Sequence, residues 1–201
     1  MQHLADGIRR FQQGVFPTKA ELFAQLATTH RPRTLFIGCS DARVVPELIT
    51  QQEPGELFVI RTAGNLVPAH SADADGITAS IEYAINALGV TDVVVCGHSA
   101  CGAMTALAEN QDMSALPTTA GWLRHADASL ARAAAADWHG EVDVLVRHNV
   151  LAQLANLMTH PSVARAAASG QISLHGWVFD IATGTVAELG RDDLIAPVPA
   201  A

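Results

Sequence analysis

Residues 73–102 read DADGITASIEYAINALGVTDVVVCGHSACG, and they hold a helix, a stop, a strand and an unusual sequel. Ile77, Ile81, Tyr83, Ala84, Ile85 and Leu88 recur at helical spacing, and Gly89 supplies the C′ position at which a helix ends. TDVVVCG, from Thr91, is a compact β-branched run, the mark of a strand buried on both faces. That strand does not close in an ordinary turn. It runs into His98 and Cys101, an H-x-x-C pair.

Upstream lie two further runs of the same kind. RTLFIG (33–38) is bounded by Pro32 and Gly38, and ELFVIR begins at Glu56. Strand, helix, strand is the unit of a parallel sheet. Downstream, GAMTALAE (102–109), GWLRHADASLARAAAA (121–136) and VDVLVRHNVLAQLANLM (142–158) read as helices, the last ended by Pro161. QISLHGWVFDI (171–181) alternates; with the turn ATGT and the run TVAEL it predicts a strand pair at the sheet's edge. At the N-terminus, MQHLADGIRRFQQGVF reads as an amphipathic helix. In TKAELFAQL, Thr18 and Glu21 have the spacing of a capping box that opens a second helix. The expectation is one α/β domain over residues 1–201. Its central, mostly parallel sheet is flanked by helices, with an antiparallel edge strand and an N-terminal helical arm over residues 1–30.

Composition narrows the function. Hydrophobic residues make up 49% of the 201 and charged residues 16%, so the chain has ample material for a core and is not disordered. The net charge of −8, with no Lys/Arg cluster, argues against nucleic acid and anionic membranes as partners. No window approaches the ~20 consecutive apolar residues of a membrane helix, and the N-terminus lacks the apolar core of a secretory signal. Three cysteines do not make a disulfide framework. They suit metal binding or catalysis in a reducing compartment, and cytoplasmic location is expected.

Two strands end in residues that a packed core has no use for. The first runs through FIGCSDARVVPE (36–47), where Cys39 is followed by Asp41 and Arg43. In an open parallel sheet, sites form beyond the carboxyl ends of the strands, so Cys39, His98 and Cys101 can meet there. Two thiolates and an imidazole suit Zn²⁺ and leave a fourth tetrahedral position open, as in a catalytic site. Cys96 competes for the thiolate role but lies deeper in the apolar run and reads as core. Asp41 has two readings, as a fourth ligand or as a hydrogen-bond acceptor for whatever fills the open position. A guanidinium forked onto the carboxylate would hold Asp41 off the metal, and Arg43 is placed to supply it. An exposed Asp–Arg pair without such a role would contribute only ~0.2–1 kcal/mol.

With these residues in hand, the sequence resembles the β-class carbonic anhydrases. The resemblance rests on CSDARVVP, PGELFVIRTAGNLVP, SIEYAINALGV and GHSACGAM, and it extends to LFAQLAT, NVLAQLANLMTHPSV and LHGWVFDI. Within the class it is similar to the branch that accompanies cyanase in cyanate-degrading bacteria, which implies a functional link to cyanase. The resemblance implies one zinc per chain on Cys39, His98 and Cys101, beside an Asp41–Arg43 dyad. It implies reversible hydration of CO2 to bicarbonate and a proton by a zinc-bound hydroxide. It also places Phe58, Ala63 and Tyr83 in a CO2 pocket at a dimer interface, so a homo-oligomer built from dimers is expected.

Several positions depart from the family pattern. Ala42 replaces the second serine of C-S-D-S-R, and Thr62 stands where many members carry an amide. His30 falls nine residues before Cys39, where the plant-like branch has a glutamine that binds bicarbonate. Phe36 and Phe179 occupy positions that are Trp and Tyr in the bicarbonate-inhibited branch, while Arg61 is kept. Two other functions compete. One is hydrolysis of carbonyl sulfide or carbon disulfide on the same fold. The other is a non-catalytic zinc module, against which Arg43 argues because a purely structural site needs no such dyad.

Overall fold

The computed structural model describes residues 1–73 and 75–190. The chain forms two compact units, Met1–Arg31 and a larger one that begins at Pro32. In the first, α1 (Gln2–Arg10) continues through a π-helical turn, Phe11–Val15, and a 3-10 turn, Phe16–Lys19, into α2 (Ala20–Leu26). Three phenylalanines, Phe11, Phe16 and Phe23, pack with ring centroids 5.4–6.3 Å apart and join the two turns to α2. The expected capping box does not form. Lys19 takes the N-cap of α2 without capping it through its side chain, and the Thr18 hydroxyl donates to the Val15 carbonyl within the 3-10 turn.

The larger unit is built on β1 (Thr34–Cys39), β2 (Leu57–Thr62), β3 (Asp92–His98), β4 (Ser173–Phe179) and β5 (Val186–Leu189). Their order in the sheet is β2-β1-β3-β4-β5. The first four are parallel and β5 is antiparallel to β4. This is the mixed sheet expected, with one adjustment. β2 is an edge strand, so only Ile60 and Thr62 of its residues are buried, whereas β1 and β3 are buried almost throughout.

The connections are α3 (Pro46–Thr50), α4 (Gly76–Tyr83), α5 (Gly102–Ala108), α6 (Pro117–Leu123), α7 (Asp127–Ala135), α8 (Val142–Leu157) and α9 (Pro161–Ala168). Asp75 caps α4 by accepting from the Ile77 and Thr78 amides. The helix continues as a π turn, Ala84–Leu88, and stops at Gly89 with φ 69°. The alanine-rich stretch read as one helix is two, α6 and α7, separated by a 3-10 turn at Arg124–Ala126. Pro161 not only bars continuation of α8 but opens α9 at its first turn, where its missing N–H costs nothing.

α8 packs on one sheet face, with Val150, Leu151 and Leu154 against Leu35, Ile37, Val93 and Val95. Gly97 permits the approach: a Cβ there would lie 2.8 Å from Val150 and 3.0 Å from Val146. On the opposite face Phe36, Val94 and Cys96 form a separate apolar cluster with Val59, Trp177 and Phe179 packed on it. Among the described residues no helix is long and apolar enough to cross a membrane.

Candidate metal centre and active site

The chain goes from β1 outward to β2, then returns past β1 to β3, so the strand order reverses between β1 and β3. An open α/β sheet forms its binding crevice at such a reversal, beyond the strands' carboxyl ends. Cys39 is the last residue of β1 and His98 the last of β3. Cys101 is the N-cap of α5. Their ligand atoms all lie within 4.8 Å of one another, and all three residues are buried. Ala100, between His98 and Cys101, has φ 53°, the left-handed conformation that folds the H-x-x-C segment back on itself.

The His98 tautomer follows from its neighbour. Nδ1 lies 2.9 Å from the Ser99 carbonyl, which can only accept, so Nδ1 carries the proton and donates. Nε2 is then a bare lone pair. It is fully buried, with no hydrogen-bond partner among the described residues. An orphaned buried acceptor beside two thiols is the donor set of a metal ion. A hydrogen bond from Cys101 draws Cys39 well below an ordinary thiol, and the same bond pushes Cys101 up. Cys96 is apart from this group. Its side chain belongs to the Phe36–Val94 cluster, and burial pushes its thiol up to about 12.

Asp41 and Arg43 stand beside Cys39, His98 and Cys101. Arg43 donates from Nε to Asp41 Oδ1 at 2.9 Å and from Nη2 to Oδ2 at 2.6 Å, and its backbone N–H donates to Oδ1 at 2.9 Å. The guanidinium fork holds the Asp41 carboxyl well below the usual carboxylate range. Asp41 Oδ2 comes to 3.9 Å from His98 Nε2. The carboxylate is therefore poised at the centre while its lone pairs are engaged by arginine.

Phe58 on β2 and Tyr83 at the end of α4 meet with ring centroids 6.2 Å apart, and Tyr83 remains half exposed. Ala63 opens the 3-10 turn Ala63–Asn65, and its carbonyl accepts from Trp122 Nε1 at 2.9 Å. Thr62, the departure from the usual amide, is buried and donates to the Leu66 carbonyl. His30 belongs to the first unit, in non-helical chain after α2.

Three residues that support this wall are not evident from motif reading. Asn149 and Asn156 of α8 donate to the carbonyls of Gly64 and Val67, and Gln153 accepts from the Val67 amide. His160 Nε2 lies 2.9 Å from the Pro68 carbonyl, extending the row. Amides at i, i+4 and i+7, with only apolar residues between them from Asn149 to Leu157, mark one polar seam that must find partners when buried. Arg61 was noted only as a retained residue. Its guanidinium donates to the carbonyls of Cys39, Asp41 and Val44.

Fold and site together define an α/β protein with a buried Cys–His–Cys group, able to hold a metal ion, at the strand-order reversal. Comparison with known proteins narrows this further. The carbonic anhydrase family profile matches residues 34–186. A carbonic anhydrase of Pseudomonas aeruginosa is 55% identical over 189 residues, 92% of this chain and 86% of that protein. The β-carbonic anhydrase CcaA has a solved structure that matches with a TM-score of 0.88 at 43% identity, over 94% of each chain. A structure among two tetrameric β-carbonic anhydrases of Sordaria macrospora matches at TM-score 0.82 and 31% identity, over 94% of this chain and 96% of that one. The chain belongs to the β-class carbonic anhydrases.

Proposed function

We propose that the protein hydrates CO2 reversibly to bicarbonate and a proton, using one zinc ion per chain held by Cys39, His98 and Cys101. The observation that carries this reading is the pairing of two facts. Three buried soft and borderline donors converge within 4.8 Å, while the nearby carboxylate is held by Arg43. A closed structural site would use Asp41 as its fourth ligand and would need no arginine. Bound zinc supplies the Lewis acidity that makes water a nucleophile near neutral pH.

The chain's own residues do the rest. Cys39, His98 and Cys101 hold the metal, with the Ser99 carbonyl fixing the imidazole tautomer. Asp41, kept ionised by Arg43, accepts a hydrogen bond from the attacking water and so directs its free lone pair toward CO2. We assign Phe58, Ala63 and Tyr83 to an apolar pocket, suited to a substrate that carries no net charge. His30 is assigned to bicarbonate, with sequence resemblance as the support.

The half-exposed Tyr83, together with Leu4, Ile8, Phe11, Val15 and Phe16 left exposed on the arm, supports a homodimer or an assembly of dimers. The whole chain, arm included, would then act as one domain. Three buried, unpaired cysteines support a reducing, cytoplasmic setting. The link to cyanase rests on sequence resemblance alone.

The test is metal analysis combined with stopped-flow CO2 hydration, with carbonyl sulfide and carbon disulfide as competing substrates. One zinc per chain and rapid hydration are expected. Zinc binding with faster turnover of either sulfur compound would replace the reading, and zinc without turnover of any would leave a structural module.

A further inference from the structure

Arg61 lies on the edge strand β2, opposite Gly38 of β1 in the sheet register. Its side chain turns toward the loop that follows β1. Nε donates to the Cys39 carbonyl at 3.0 Å, and Nη2 donates to the carbonyls of Asp41 at 2.5 Å and Val44 at 2.7 Å. One guanidinium thus collects three carbonyl oxygens from a single short loop. These oxygens carry like partial charges and repel one another when drawn together. A planar fork with donors at fixed angles holds them in one arrangement, which a lysine ammonium would not reproduce.

The rest of the loop is fixed from other directions. Ser40 N–H donates to the Thr62 carbonyl at 2.9 Å, and Val44 N–H to the Asp41 carbonyl at 3.0 Å. Arg43 engages the Asp41 carboxylate from its own side. Within this set, Arg61 alone grips the main chain of Cys39, Asp41 and Val44 at once. We infer that Arg61 is a positioning residue: by clamping these three carbonyls it sets the direction of the Asp41 side chain and keeps it off the metal. The inference rests on the carbonic anhydrase reading above. It assigns Arg61 no contact with CO2 or bicarbonate; the effect passes through the backbone.

The test uses the full-length protein with zinc replaced by cobalt, whose visible spectrum reports the coordination sphere, and thiocyanate as a probe of the open position. In the parent, thiocyanate should shift the cobalt spectrum. In Arg61→Ala, metal content should equal the parent's, but the spectrum should no longer respond to thiocyanate because Asp41 has closed the site. The zinc form should lose tenfold or more in kcat with KM for CO2 little changed. Amide exchange at Arg43 and Val44 should quicken. Millimolar guanidinium should restore part of the probe response, and Arg61→Lys should behave like Arg61→Ala.

An Arg61→Ala protein with the parent's thiocyanate response and kcat overturns the inference. Loss of metal with the fold intact by circular dichroism overturns it too, since Arg61 would then support the ligands rather than Asp41. If Arg61→Ala does not fold, Arg61→Gln keeps a single donor and is judged by the same criteria. A parent that binds cobalt and thiocyanate yet hydrates no CO2 would fail the functional reading alone, while the variant spectra still decide Arg61.

Discussion

Arg43 donates from Nη2 to the carbonyl of Ala100 at 3.1 Å, and so ties the loop after β1 to the loop after β3. The same nitrogen engages Asp41 Oδ2. One side chain thereby fixes the carboxylate relative to the segment that carries His98 and Cys101. The strained conformation of Ala100, at φ 53°, is what turns its carbonyl toward Arg43's reach.

Arg43→Ala should therefore do more than remove a charge. With both tethers gone, Asp41 should rotate the short distance to the metal and close the open position. A crystal structure should find Asp41 coordinated, and CO2 hydration should fall by roughly 10²-fold or more, the scale of losing a positioned acid–base group. Asp41→Asn should lose activity on the same scale while retaining zinc. Full activity in Arg43→Ala, with Asp41 still remote from the metal, would refute the role given to the dyad.

The thiolate assignment has its own check. Cys39→Ser, His98→Ala and Cys101→Ser should each lower bound zinc and abolish hydration, whereas Cys96→Ser should keep its metal. In the metal-free protein, burial with a thiol pKa near 12 should leave Cys96 unalkylated by iodoacetamide at pH 8. Zinc loss in Cys96→Ser, with zinc kept in Cys101→Ser, would reverse the two assignments.

Gln153→Leu tests the amide seam of α8. It leaves the buried Val67 amide without its acceptor and removes a bond to Asn156. One unsatisfied buried donor costs ~1–3 kcal/mol, so the urea midpoint should fall by that equivalent with the slope unchanged. A midpoint equal to the parent's would mean that the Ala63–Pro68 segment needs no support from α8.

His148, buried on α8 with neither ring nitrogen hydrogen-bonded among the described residues, should make the fold acid-sensitive. Burial first, then the charges of Arg132 and Arg147, lower its pKa below 6.5. Above that value both folded and unfolded chains hold it neutral, and it has no effect. As pH falls below 6.5 the unfolded chain takes up the proton first, so stability drops until the folded pKa is reached. Urea midpoints for His148→Leu should thus decline less than the parent's between pH 7 and 5. Parallel declines would assign the acid sensitivity elsewhere.

His30 carries the last test. A histidine can accept and pass a proton near neutrality, and a glutamine cannot. If His30 relays the released proton, His30→Gln should show a lower kcat in dilute buffer, restored by imidazole, with kcat/KM for CO2 little changed. Equal kcat in dilute buffer would leave His30 outside the catalytic cycle.

The strands and the long helix α8 were legible in the sequence because each is a local matter, and so were the residue types Cys, His and Cys at or just beyond the ends of β1 and β3. β-branched runs bounded by Pro and Gly announce buried strands, and residue type alone limits what Cys39, His98 and Cys101 can do. Local reading went astray where competing local choices were close in energy. Thr18 could serve a capping box or a 3-10 turn, and the alanine-rich stretch could run on as one helix or break at Arg124–Ala126. The separation of Cys96 from Cys39 needed the sheet itself, because only the pairing of strands decides which face a side chain joins. The clamp by Arg61, the bond from Arg43 to the Ala100 carbonyl, and the α8 amides on the Ala63–Pro68 segment join residues between 17 and 89 positions apart. No periodicity records such bonds. They exist because folding buried polar backbone that had to find donors and acceptors wherever the packed helices and strands happened to bring them.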